Sequence, residues 1–597
     1  MNSIYQRTPA VPVSSLTGSL PSATIAEDVN HNLVASSVLG NLYSLDAIHL
    51  TDGAIWRDLY AMTGTLRTFV GSSRFASAWK ELSTLHHPSN FKLIEGSSSV
   101  VRVSPSTSWV QARFTFETEA EPRTHSSGII GAVLDLNGGW KIWLLSTILE
   151  QIDRFPNPDI LETRSPTLQA DGDESFKKTS FDCVVVGAGM AGLCTAGRLE
   201  TLGMSYVVLE RNKHIGDNWT QRYESVRLHT SKENAHLPFG RTFSPEDPYF
   251  LGAEDLARAY QKFVDQYRIN VWLSTNLEHA SWNEEKKGWS LQIQQNDRER
   301  TIQCRHLVLA LGPGGAIPRM PSYPDQEQYN GLVMHSASYK TARQWKGKSA
   351  IIIGSANTAH DVAEDMVEAG LSSITMVQRS QTAVIPVEYS SFFNDRIYNN
   401  KLATEEADRL ALSLPIVVTR LVTLERFRVF ANRDTERFDA LERVGFKLDR
   451  DCDLWEAVCD RIGGHHLDVG CGAKIVRGEI KMKSDAMPVR YTPTGIRFSD
   501  GSELDADIII FTTGFEGNMR DAAAQLVGNE IGQKLEDYWR VDMEGEFRGV
   551  WKPIGHPGIW YTGGSIAQAR YFSRFLALQI KADVEGVPLE RYTKTPA

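Results

Sequence analysis

Residues Cys183-Val-Val-Val-Gly187-Ala-Gly189-Met190-Ala191-Gly192 run an apolar stretch into a glycine-rich turn. A helical stretch follows over 193–202, and a second apolar stretch, Tyr206-Val-Val-Leu, ends in Glu210. Each part has a task in holding a pyrophosphate. Gly187 permits a tight turn, Gly189 lets the backbone approach the phosphates, and Gly192 lets helix and strand pack closely. The helix N-terminus, with Met190 and Ala191, offers N–H donors and positive potential. Glu210, about twenty residues past the turn, stands where an acid accepts hydrogen bonds from ribose hydroxyls.

A second pattern of the same kind occurs at Ser349-Ala-Ile-Ile-Ile-Gly354-Ser355-Ala-Asn357-Thr358-Ala-His-Asp361, followed by Ile374-Thr-Met-Val-Gln-Arg379-Ser380. Ala356 and Ala359 replace its second and third glycines, and Arg379 stands where the first pattern has Glu210. An acid suits a free ribose hydroxyl, whereas an arginine suits a ribose 2′-phosphate. The reading is FAD at the first site and NADPH, in preference to NADH, at the second, with hydride passing from one to the other. A disulfide reductase would share that plan. Here the cysteines are Cys183, Cys194, Cys304, Cys452, Cys459 and Cys471, with no Cys-x-x-Cys and no redox pair after the first turn. His465-His466, with Asp468 and Cys471, lacks the spacing of known zinc sites, so no metal is expected.

These motifs need a strand–turn–helix frame, and the rest of the chain must supply it. A chain of 597 residues exceeds one core and predicts several units. With 63 Lys+Arg against 73 Asp+Glu it is mildly acidic, which speaks against nucleic-acid binding. The N-terminus lacks a signal-peptide core, and the most apolar run, 410–424, is interrupted by Pro415 and Arg420. A cytoplasmic protein without an integral membrane segment is expected. The run 410–424 reads as a pocket-lining or buried helix.

The predicted order is a flexible tail (1–20), an α+β unit (21–155), a linker rich in Pro and acid (156–180), then α/β texture. Within the α+β unit, strands start near Trp109, Gly128 and Trp140, the last two separated by the turn signal Asn137-Gly-Gly. Helical spacing appears around 33–42 and 75–85.

Four ordered stretches resemble the class B flavin monooxygenases, particularly the plant YUCCA group and fungal relatives. They are 216–230, with Trp219, Arg222, Leu228 and His229; Tyr329-Asn-Gly331-Leu-Val-Met-His335-Ser-Ala-Ser-Tyr339; Asp507-Ile-Ile-Ile-Phe511-Thr-Thr513-Gly514-Phe515; and Gly558-Ile-Trp-Tyr-Thr-Gly563-Gly564. The second is similar to that family's identifying motif, with Tyr329 for Phe. The third has Thr512 in place of Ala. The resemblance covers about 181–585. It implies two Rossmann-type domains, an FAD domain in two parts (181–345 and 506–597) around an NADPH domain with a helical insertion (346–505). Further cofactor contacts are expected at Arg211, Leu277 and Gly312, at Ser355, Asn357, Thr358 and Ser380, and at Thr513 and Gly514. His229 and Asn357 are the expected catalytic residues.

The chemistry so implied is reduction of FAD by NADPH, capture of oxygen as a flavin hydroperoxide, and oxygenation of a small organic substrate. Heteroatom hydroxylation, Baeyer–Villiger insertion and oxidative decarboxylation of an aryl α-keto acid all remain open. An NADPH oxidase and a non-catalytic flavoprotein with a regulatory N-terminal domain are the alternatives. The unit around Trp56 resembles the cone-shaped nuclear-transport-factor and SnoaL-like fold, with a packing, dimer-forming or lid role. A homodimer is compatible with all of this.

Overall fold

The computed structural model describes residues 7–135, 137–163, 178–312, 317–516 and 518–596. Val184 and Val185 are fully buried, the burial that a central parallel strand requires. Their strand, Ser180–Val186, pairs in parallel with Tyr206–Leu209 on one side and with the second half of Arg298–Leu309 on the other. Val271–Trp272 and Ile559–Tyr561 extend this first sheet, also in parallel. The first half of Arg298–Leu309 pairs antiparallel with Gly288–Gln295, and that strand with Thr275–Asn283. One long strand thus belongs both to the nucleotide-type sheet and to a three-stranded meander.

The second sheet is parallel throughout, in the order Leu332–His335, Ile508–Phe511, Ser349–Ile353, Ser373–Val377, Lys481–Lys483. The boundaries predicted at 345/346 and 505/506 therefore cut through this sheet. The reason is physical: Ala350–Ile353 are buried, so their strand needs a neighbour on each side, and Ile508–Phe511 supplies one. The strand Leu332–His335 then lies outside Ile508–Phe511. Only the chain beyond this sheet returns to the first unit, through Ile559–Tyr561 and the helix Ile566–Val584.

The N-terminal unit is α+β. Its sheet runs Leu66–Val70, Leu50–Leu59, Trp140–Ile152, Thr124–Leu134, Thr107–Thr118, Pro88–Leu93, with Ser99–Ser104 also paired to Thr107–Thr118. The three strands predicted from Trp109, Gly128 and Trp140 form consecutive antiparallel neighbours. Helices His31–Gly40 and Ser72–His86 contribute to the same core as the sheet, where Trp56, Phe75, Trp79, Phe91 and Phe114 fill the space between layers.

Two segments differ from the sequence expectation. Residues 7–20 are not a free tail: Val11 bridges Val541, Val13 is fully buried, and the Val13 N–H donates to Asp460. Of the linker, 164–177 lie outside the described residues. Its first part is anchored, because Asp159 sits among Arg198, Arg409 and Arg574.

Pro415 does not interrupt a helix but starts one. It is the N-cap of Ile416–Ala431, a position that needs no intrahelical N–H. Val417 and Val418 pack on Ile55, Trp109 and Trp143 of the N-terminal unit, so the apolar run is core. Among the described residues no helix is long and apolar enough to cross a membrane.

The helix Ile566–Val584 is the hub of the assembly. Arg570 pairs with Asp408 of the helical insertion, and Arg574 with Glu150 of the N-terminal unit. Tyr60 stacks on Phe575 with ring centroids 5.1 Å apart. Buried guanidiniums persist only where carboxylates and carbonyls satisfy them, so these contacts fix the N-terminal unit in place.

Candidate active site

At the first turn Gly187 has φ 104°, and its N–H donates to the Leu209 carbonyl at 2.8 Å. A side chain at Gly187 would meet the Ala310 carbonyl oxygen at 2.6 Å, and one at Gly192 would overlap the Gly187 carbonyl. Both glycines are demanded by the protein's own backbone. Gly189 is different. It is the N-cap of helix Met190–Thr201 in an extended conformation open to any residue, and a Cβ there would meet nothing nearer than Asn218 Nδ2 at 3.6 Å. Nothing in the protein's own packing requires glycine at this position.

Glu210 closes the turn. Its carboxylate accepts the Ala188 N–H at 2.8 Å and the Asn212 N–H at 2.9 Å, and it is largely buried. Arg211 beside it is exposed. Leu277 lies two residues beyond Thr275, whose N–H donates to the Glu210 carbonyl. Its side chain is buried in the apolar core with Val186 and Leu209. Gly312, with φ 76°, follows the strand Arg298–Leu309 at the edge where Gly187 also lies.

The second turn repeats the first. Gly354 has φ 129°, and its N–H donates to the Val377 carbonyl at 3.0 Å. Ala356 is the extended N-cap of a helix, Asn357–Glu368, of the same 12 residues as Met190–Thr201. Ser355 Oγ lies 2.8 Å from Thr382 Oγ1, and Thr358 is half-buried in the first helical turn. Arg379 and Ser380 are exposed past the strand Ser373–Val377, and among the described residues Arg379 makes no ion pair.

The block 216–230 bridges the two turns. The guanidinium of Arg222 lies 5.1 Å from the Trp219 ring centroid, and the Leu228 N–H donates to Leu251. This leads His229, largely buried, across to the second unit. His229 Nε2 is 3.0 Å from Asp361 Oδ1, and its Nδ1 is 3.3 Å from Asn357 Oδ1. The two expected catalytic residues, 128 positions apart, are therefore in contact. The Leu467 N–H donates to Asn357 Oδ1 at 2.8 Å, which marks that atom as the acceptor. His229 Nδ1 must then donate. Nε2 faces the Asp361 carboxylate, which also accepts from Tyr223 OH at 2.8 Å.

Asp361, Tyr223 and His466 were not among the expected site residues. The signal for Asp361 was its place four residues after Asn357, on one helix face. His466 comes from the strand His465–Asp468, paired with Ala383–Pro386, and its ring stacks on His360 with centroids 3.5 Å apart. Burial and the neighbouring His466 hold His360 well below the usual histidine range, and burial pushes His465 down to about 4. Among the described residues no His, Cys, Asp and Glu group is arranged to hold a metal.

His335 ends the strand Leu332–His335, with its Nδ1 accepting the Ala337 N–H at 3.1 Å and its ring beside Phe515. Thr513 Oγ1 donates to the Arg319 carbonyl, and Gly514 has φ 75°. The turn at Gly563 and Gly564 leads from Ile559–Tyr561 into the helix Ile566–Val584, which packs on Met190–Thr201. A cavity of about 440 Å³ lies elsewhere, lined by Trp282, Arg305, His306 and His556. It opens where the parallel pairing of Arg298–Leu309 begins, whereas nucleotides take the other end of such strands.

Residues 184–407 match the family described as pyridine nucleotide-disulphide oxidoreductase. All six cysteines are buried and free. The chain is 27% identical over 340 residues to indole-3-pyruvate monooxygenase YUCCA1 of Oryza sativa subsp. japonica, covering 56% of this chain and 77% of that protein. It is 27% identical over 342 residues to YUCCA6 of Arabidopsis thaliana, covering 56% and 76%. Among solved structures, a flavin-containing monooxygenase from Stenotrophomonas maltophilia aligns with a TM-score of 0.46 at 18% identity, over 68% of this chain and 99% of that one.

Proposed function

We propose that this chain is an FAD- and NADPH-dependent monooxygenase acting on a small organic substrate. The observation that carries the reading is the contact of His229 with Asn357 and Asp361, which joins the two nucleotide turns at one junction. Gly187, Gly189, Gly192 and Glu210 would hold FAD. Gly354, Ser355, Asn357, Thr358 and Arg379 would hold NADPH. Bound there, the flavin supplies hydride acceptance and oxygen activation.

The protein's own residues do the rest. Asp361, fixed by Tyr223, orients His229, and the Leu467 N–H holds the Asn357 carbonyl oxygen toward it. Neutral, buried His360 and His465 add no competing charge. The relatives act on indole-3-pyruvate, an aryl α-keto acid, which favours oxidative decarboxylation over the two other reactions. The N-terminal unit is read as a cone-shaped domain of packing role. Its interior is lined with buried aromatic rings, and Arg57–Glu546 and Arg574–Glu150 lock it to the body.

The test is anaerobic mixing of purified flavoprotein with NADPH, followed by oxygen and a panel of amines, thioethers, ketones and aryl pyruvates. Bleaching of the flavin and oxygenated product coupled to NADPH use are expected. Failure to bleach removes the enzyme reading. Peroxide release at the same rate with and without every substrate makes the chain an oxidase.

A further inference from the structure

In the helical insertion between Val387 and Cys459, Arg396 and Arg426 are, among the described residues, guanidiniums without an anionic partner that lie against phenylalanine rings. Arg396, on the helix Val387–Ile397, lies over the Phe392 ring with Cζ 4.0 Å from its centroid. Arg426, on the helix Ile416–Ala431, lies over Phe393 at 4.5 Å. Among the described residues neither guanidinium makes an ion pair or a hydrogen bond. Three acids nearby are engaged elsewhere: Glu388 with Arg437, Asp434 with Arg437 and Tyr389, and Asp395 with Tyr249; Glu425, beside Arg426 on the same helix, makes no ion pair with it. Two like charges held near each other are unfavourable. Burial and the charge of Arg396 together depress the proton affinity of Arg426. An anion placed between them would reverse that cost.

The floor of the patch is aromatic. The rings of Phe392 and Phe393 meet edge to face at 5.0 Å, Phe430 lies 5.4 and 5.6 Å from them, and Tyr389 stacks on Phe430 at 4.8 Å. Phe392 is 46% exposed, so the surface is open. Flat apolar faces beside paired guanidiniums fit a ligand with a planar apolar body and one anionic end. The patch is tied to the candidate active site at two points. Helix Val387–Ile397 continues directly from the strand Ala383–Pro386, whose partner strand holds Asn357 through Leu467. Tyr249, whose carbonyl accepts the Lys232 N–H three residues past His229, donates through its hydroxyl to Ser391 and Asp395.

We propose that Arg396 and Arg426 form a carboxylate-binding site of the helical insertion, which takes an aromatic carboxylate with its ring on the Phe392–Phe393–Phe430 surface. It rests on the monooxygenase reading only in taking that ligand to be the substrate. Arg396 and Arg426 are specificity determinants here, since neither touches the reacting atoms.

The experiment measures binding of phenylpyruvate and of its neutral methyl ester to the FAD-loaded enzyme by calorimetry, without NADPH. Arg396→Ala and Arg426→Ala should each weaken phenylpyruvate by about 10-fold or more, the loss of a charge-assisted bond, and change the ester by less than about 2-fold. Arg426→Lys should keep part of the affinity, since it retains charge but not the planar fork. Arg396 is exposed, so Arg396→Ala remains informative where Arg426→Ala fails to fold. Unchanged phenylpyruvate binding in folded Arg396→Ala overturns the site. So does a patch that binds phosphatidylglycerol vesicles through these arginines while phenylpyruvate binding is untouched, which would make it a lipid contact. Turnover separates the two proposals. Arginine-dependent binding without any oxygenated product removes the monooxygenase reading and leaves the site. Product formation with an unchanged KM for phenylpyruvate in Arg396→Ala does the reverse.

Discussion

The two nucleotide turns share one backbone and differ in what seals it. Each begins on a left-handed glycine whose N–H bonds to the next strand, and each feeds a helix of 12 residues. At the first, the third glycine is pressed against the turn itself, and the terminal acid folds back onto the Ala188 and Asn212 N–H groups. At the second, Ala359 is accommodated with a Cβ, and the terminal residue, Arg379, is exposed and makes no ion pair among the described residues. The first turn is closed by internal bonds, as suits a cofactor that stays. The second leaves its terminal side chain exposed to solvent.

The strongest way to break this comparison is Gly192→Val. Its side chain would overlap the Gly187 carbonyl, backbone that cannot swing aside. Overpacking of this kind costs about 1–3 kcal/mol or more, and here it also separates helix from strand. Loss of flavin together with a clear drop in melting temperature is expected. A folded, yellow variant would show that the turn is not closed as described.

Gly189→Val should act on the ligand alone. The extended N-cap tolerates a side chain and the nearest protein atom is 3.6 Å away, so the variant should fold yet purify without FAD. Melting temperature of the apoprotein and the flavin-to-protein absorbance ratio separate the two glycines. A Gly189→Val protein that keeps its flavin refutes the assignment of Gly189 to the FAD site.

Arg379→Ala tests the open end of the second turn. Loss of a charge-assisted bond to a 2′-phosphate is worth about 1.5–3 kcal/mol, roughly 10- to 150-fold in affinity. The KM for NADPH should rise by that factor while the KM for NADH stays within about 2-fold. An unchanged coenzyme preference leaves Arg379 a solvated surface residue.

These sites differ in how far they could be read without coordinates. The glycines, Glu210 and Arg379 were legible because the strand–turn–helix is local: its hydrogen bonds join residues within about twenty positions. The contact of His229 with Asn357 was not, because it depends on how two units dock, and no pattern in 216–230 points to residue 357. The same limit applies to the edges of the second sheet. Ile508–Phe511 reads as an apolar strand in either unit, and only its pairing with Ser349–Ile353 assigns it. Residues 7–20 mislead for a related reason: their composition suits a tail, but Arg7, Thr8, Val11 and Val13 bond to residues 460–548 far along the chain, and Val13 is buried in the core.

The smallest effect expected comes from making the second turn more like the first. Ala356 occupies the position of Gly189, as an extended N-cap with φ −94°, so glycine there removes a methyl without relieving any strain. Glycine is also a better N-cap than alanine, so stability should rise by roughly 0.5–1 kcal/mol. If the methyl is what keeps a pyrophosphate from closing on the helix N-terminus, Ala356→Gly should tighten NADPH by a few-fold, under about 1 kcal/mol, and slow its release in stopped-flow displacement. The hold of the second turn on its ligand would then be set by one methyl group. Weaker binding in Ala356→Gly would instead mean that the methyl packs against the coenzyme, and that the two turns hold their ligands by different contacts.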